Sequence, residues 1–106
     1  MKIQKIKDMF RGWFIGDFEP SVYKTKLFEV GKMTHKKDEI KPKHYHKIAT
    51  EINVMLSGKM ILQGNEINIG DIFIFEPGEI ADPIFLDDCE ILVVKIPSIP
   101  GDKYEV

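Results

Sequence analysis

Short β-prone runs cut by glycine turns, repeated from Glu51 to Ile96, constrain this chain more than any other feature. Glu51–Ser57 reads as one strand, Gly58 turns it, and Lys59–Gln63 returns. Gly64-Asn65 has the chemistry of a tight turn that needs positive φ. Glu66–Ile69 then forms a short strand, Gly70-Asp71 turns, Ile72–Phe75 follows, and Glu76-Pro77-Gly78-Glu79 turns again. Cys89–Ile96 is the strongest β run in the chain. Helical periodicity is absent beyond the first ten residues, so the pattern predicts an all-β sandwich or barrel.

The upstream half is less regular. Lys2–Met9 places Ile3 and Ile6 one helical turn apart and suits a short helix or an edge strand. Trp13, Phe14, Ile15 and Phe18 are expected to cover one end of a core, and Val22–Met33 is β-like. His35-Lys36-Lys37-Asp38-Glu39 reads as a polar loop. Pro42 suits an edge strand or a strand start. A chain of 106 residues fits one domain. The expected divisions are an arm over residues 1–20, a barrel over 22–97 and a tail over 98–106 that wraps the surface.

Composition narrows the function classes. With 43% hydrophobic and 30% charged residues, the chain has the balance of an ordinary globular domain. A formal charge of −2 and the lack of an aromatic-plus-basic stripe give no reason to expect nucleic acid as a partner. No window approaches a membrane span. Lysines and an aspartate interrupt Met1–Phe10, so no signal peptide is expected and the predicted location is cytoplasmic. The lone Cys89 excludes an internal disulfide and a cysteine-built zinc site, and reads as a small buried thiol.

The chemistry concentrates in His44-Tyr45-His46-Lys47-Ile48-Ala49-Thr50-Glu51. Histidines at i and i+2 of an extended run project to one side. The flanking Lys41 and Lys43 want water, so Ile40, Pro42, His44 and His46 are expected to face inward, with Tyr45 outward. On the next strand Glu51, Asn53 and Met55 share one face, opposite Ile52, Val54 and Leu56. If Glu51 joins the histidines, the set is two imidazoles and one carboxylate, a facial metal site with open positions. The apolar outer face then needs covering, which predicts a homodimer.

Taken alone, a His-X-His pair is as readily two half-exposed histidines bonded to backbone or water. The combination His44, His46, Glu51, Gly58 is more specific. It resembles the first motif of the cupin superfamily, two histidines, a glutamate and a glycine at these same intervals. The second cupin motif is half present. Gly70 and Gly78 are in register, Glu76 stands where proline is usual, Ala81 where the fourth ligand histidine is usual, and Phe85 where asparagine is usual.

The resemblance implies a single-domain, jelly-roll β-barrel. It also implies one divalent ion (iron, manganese, nickel or zinc) held by His44, His46 and Glu51. Asp82 is either a fourth ligand re-aimed by a bulge or a turn residue before Pro83. Asn53 and Asp82 are the polar groups expected near a bound small molecule. His35 is either solvated in a loop or, if its strand faces the lumen, a general acid/base. Three functions follow from the resemblance. One is Lewis-acid chemistry on a small oxygenated metabolite, as in sugar-type isomerases and epimerases. The second is Fe(II)-dependent dioxygenation, and the third is non-catalytic small-molecule binding.

Overall fold

The computed structural model describes residues 1–106, and they form two packed β-layers. Eleven strands run in chain order: β1 Trp13–Gly16, β2 Tyr23–Lys24, β3 Glu29–His35, β4 His44–Tyr45, β5 Thr50–Ser57, β6 Met60–Leu62, β7 Asn65–Ile67, β8 Ile72–Phe75, β9 Pro83–Phe85, β10 Cys89–Ile96 and β11 Tyr104–Glu105. The large sheet has the order β2-β1-β3-β10-β5-β8. A three-stranded sheet, β7-β6-β9, and a two-stranded ribbon, β11-β4, complete the barrel. The only helical element is the single 3-10 turn Ile6–Asp8, and no helix is long and apolar enough to cross a membrane.

Alternation along the strands sends one set of side chains into a shared interior. Met55 from β5, Ile91 and Val93 from β10, and Phe75 from β8 meet Met60, Leu62 and Phe85 from the small sheet. Trp13 packs on this cluster from β1. Cys89 is fully buried, its thiol held by the carbonyls of Lys59 and Asp87, and burial raises its pKa.

Gly58 shows why a glycine is needed between β5 and β6. Its φ is +86°, and a Cβ there would lie 2.3 Å from the carbonyl oxygen of Asp88 and 2.8 Å from Cys89 Sγ. The position therefore requires both a left-handed backbone and an absent side chain.

Four expectations need correcting. β3 continues to His35, which is buried and pairs with Cys89 on β10, so it is no loop residue. The long β-like stretch splits into β2 and β3. Inward parity holds for His44 and His46 but not before them: Ile40 is 95% exposed, whereas Lys41 lines the interior cavity. β4 spans only His44–Tyr45, too short to carry the alternation back to Ile40. Finally, the tail adds a strand. β11 pairs with β4 through Tyr104↔Tyr45 and Glu105↔His44.

Candidate metal and ligand site

A cavity of about 310 Å³ opens inside the barrel. His35, His44, His46, Glu51 and Asn53 line it, together with Lys41, Lys95 and Lys103 and an apolar wall that includes Trp13, Phe73 and Phe85. The structure therefore brings His44, His46, Glu51 and Asn53 into one chamber. Asp82 is outside it. Between buried Ala81 and half-buried Pro83, its side chain points to solvent, 3.7 Å from Lys43 Nζ. Strand alternation at the start of β9 turns it outward, and the bulge that would re-aim it is absent.

The histidines are oriented by backbone carbonyls. A carbonyl can only accept, so each contacting ring nitrogen carries the proton. His46 Nδ1 donates to the carbonyl of Asp102, and His44 Nδ1 donates to that of Pro42 at 3.4 Å. In both rings the backbone holds Nδ1 and leaves Nε2 as the nitrogen that a metal-binding imidazole would offer. His46 Nε2 stands 3.3 Å from Glu51 Oε1. Either a proton on Nε2 donated to the carboxylate or a cation shared by the two groups satisfies that contact.

Glu51 is held in turn. Asn53 Nδ2 donates to its other oxygen at 3.2 Å and to the Phe73 carbonyl at 3.3 Å. Burial pushes the Glu51 carboxyl up, but the His46 contact, the Lys95 charge and the Asn53 bond outweigh this and leave it below its ordinary value. Burial, with Lys103 and Lys41 adding repulsion, drops the pKa of His44 to about 4. It is therefore neutral at physiological pH. The donor set fits a divalent ion in charge and tautomer, although no three side chains stand in a ready coordination arrangement.

Ala81 pairs with His44 through an isolated bridge, with reciprocal backbone bonds of 2.8 and 3.3 Å. The usual fourth-ligand position is thus beside the cluster, and its methyl group leaves the space open.

Three residues at the site carry no sequence signal, or only a weak one. His35 Nδ1 lies 2.8 Å from Glu39 Oε2, and its ring stacks on Phe85 with centroids 4.4 Å apart. Asp102 is 5% exposed and accepts the N–H groups of Lys47, Ile48 and Ala49 at 2.9–3.0 Å. It pins the loop that links the histidines to Glu51. Lys103 follows on the same tail. Only the His35–Glu39 spacing could have been noticed beforehand; Asp102 and Lys103 arrive through a contact 55 residues apart in the chain that no local pattern encodes.

No protein-family model matches the chain, and no curated protein matches it by sequence. Solved structures do match. An uncharacterized protein with a double-stranded β-helix domain from Klebsiella pneumoniae aligns over 99% of this chain and 91% of its own, with a TM-score of 0.73 and 16% identity. The DMSP lyase DddQ from Ruegeria pomeroyi aligns over 97% of this chain, with a TM-score of 0.73 and 17% identity. The polyketide cyclase RemF from Streptomyces resistomycificus aligns over 77%, with a TM-score of 0.67 and 22% identity. The chain spans 55% of the length of DddQ and 62% of that of RemF.

Proposed function

Starting from the double-stranded β-helix, or cupin, fold of this chain, we propose that it binds a divalent metal ion and acts on a small oxygenated metabolite. His44, His46 and Glu51 hold the ion, which is iron, manganese, nickel or zinc. The observation that carries this is His46 Nε2 set 3.3 Å from the Glu51 carboxylate while the Asp102 carbonyl holds the other ring nitrogen.

When bound, the ion supplies Lewis acidity toward a carbonyl or enediol oxygen. The chain's own groups do the rest. Asn53 keeps Glu51 ionised and aimed. Phe73, Phe75 and Phe85 give the chamber an apolar wall. His35, kept in one tautomer by Glu39, moves a proton on and off a substrate carbon through its remaining nitrogen. Proton transfer next to a polarised carbonyl is the chemistry of an isomerase or epimerase. The lining mixes an apolar wall with polar and charged groups, which suits a compact metabolite.

The test is deuterium exchange. Metal-loaded protein is incubated in D₂O with a panel of small hydroxy-ketones and keto-acids and followed by NMR. Exchange at the carbon next to the carbonyl, lost in His35→Gln, is the expected result. No exchange with any compound would leave the second reading, a non-catalytic binding module. The absence of a ready three-donor cluster favours that reading.

A second copy of the chain is proposed to cover the outer face of the large sheet, where Val94↔Ile52↔Ile74 and Leu92↔Val54↔Ile72 form two apolar rows. The lone buried thiol fits a reducing compartment such as the cytoplasm.

A further inference from the structure

The chain carries a net charge of −2, yet its cavity is lined by Arg11, Lys41, Lys95 and Lys103 against a single carboxylate, Glu51. Lys95 is accounted for. Its ammonium lies 3.8 Å from Glu29, whose other oxygen accepts the Ser98 hydroxyl, and 4.8 Å from the Trp13 ring centroid. Arg11 is exposed at the rim over Phe10. Lys41 and Lys103 enter no ion pair.

These two side chains share one end of the chamber with His44, and their charges repel. Burial, then the Lys103 charge, holds the Lys41 ammonium below its ordinary pKa. Lys41 is half-buried and Lys103 is exposed where it lines the cavity. Glu39 and Glu51 offset part of the Lys41 charge without pairing with it, so an anion entering the chamber would meet two unpaired ammonium groups. The fold brings them there by separate routes, Lys41 from the segment before β4 and Lys103 from the tail before β11.

We propose that Lys41 and Lys103 form a carboxylate-binding end of the cavity, and that the natural ligand is a small organic acid with an apolar body. This rests on the reading of the chamber as the ligand site and narrows the metabolite class. A carboxylate fits better than a phosphoryl group. The one arginine in the lining, Arg11, is exposed at the rim over Phe10, and no backbone nest at a helix N-terminus lines the chamber. A dianionic phosphoryl group would therefore find only the two ammonium groups that suffice for a carboxylate. The far wall of Trp13, Phe73, Phe75 and Phe85 suits an apolar body better than a polyol.

Trp13 is the only tryptophan and lines the cavity, so its fluorescence reports occupancy. Chelator-treated protein is titrated with phenylacetate, phenylacetamide and benzyl phosphate. The expected result is saturable binding of phenylacetate, about 10-fold or more tighter than the amide and weakened by salt. Loss of about 10-fold or more in the Lys41→Gln/Lys103→Gln double variant is also expected. The proposal is overturned if the amide binds as well as the acid, if benzyl phosphate binds more tightly, if the folded double variant keeps native affinity, or if nothing binds up to about 10 mM. The acid–amide comparison uses the native chain and so does not depend on the variant folding. Metal content, measured separately on untreated protein, tests the histidine–glutamate reading, so either idea can fail while the other stands.

Discussion

The backbone carbonyl of Asp102 accepts the Nδ1 proton of His46, while the carboxylate of the same residue holds the loop leading from His46 to Glu51. One residue of the tail thus sets both the tautomer of a proposed metal ligand and the path of the chain between two such ligands. Burial alone would raise the Asp102 carboxyl. The three backbone donors and the nearby His46 more than offset that and hold it below its ordinary value.

Asp102→Ala leaves three N–H groups without their partner, and the expected cost is about 3 kcal/mol or more. In a domain of this size that lowers Tm by roughly 10 °C or more. Urea denaturation measures it. A loss under about 1 kcal/mol would show that water replaces the carboxylate freely.

Glu51→Gln keeps the shape of the side chain and removes its charge. Zinc or manganese affinity, followed by calorimetric titration, is expected to fall by at least about 10-fold. Asn53→Ala removes only the group that steers Glu51 and is expected to cost about 10- to 100-fold. Native metal affinity in Glu51→Gln would remove that carboxylate from the ligand set.

The His35 imidazole is held below its ordinary pKa, first by burial, with the Glu39 bond pulling the other way. Lys41 and Lys103 face it and lower it further. For a depressed imidazole the stabilisation is complete above the unfolded pKa, and is lost as pH falls from there toward the folded value. Glu39→Gln removes the contact that raises the pKa, so the NMR titration midpoint of His35 should move lower still. A midpoint that rises in the variant contradicts the assigned hydrogen bond.

Gly58→Ala forces a side chain into contact with the Asp88 carbonyl at a backbone angle that disfavours it. The expected destabilisation is about 1–3 kcal/mol from backbone strain, before any clash is relieved. Thermal unfolding checks it. An unchanged Tm would mean that the β5–β6 turn relaxes without cost.

Ile72 is 66% exposed and Ile74 is 51% exposed, at the β8 edge of the two apolar rows on the large sheet. Sedimentation is expected to give a dimer at micromolar concentration. Ile74→Glu should dissociate it while leaving the far-UV spectrum unchanged. A monomeric native chain would refute the pairing.

Local chemistry made much of the barrel legible. Glycines and the Glu-Pro-Gly turn punctuate β5 to β8, and the bounds of Ile72–Phe75 and Cys89–Ile96 follow from apolar runs that end in turn residues. Alternation on β5 correctly placed Glu51, Asn53 and Met55 inside, because side chains of a paired strand have no other choice. Parity failed before His44, where the chain is not a strand, and it therefore assigned Lys41 to solvent and Ile40 to the core.

The sequence by itself determined the strand pattern, the glycine turns and the clustering of two histidines with a glutamate, all of which depend on neighbours within a few residues. Only the tertiary structure decided that His35 faces the lumen, that Asp82 does not, and that the tail brings Asp102 and Lys103 to the histidines. Those placements come from pairings between distant segments, β3 with β10 and β4 with β11. Their stabilisation comes from closing the barrel as a whole, so no local stretch of residues records them.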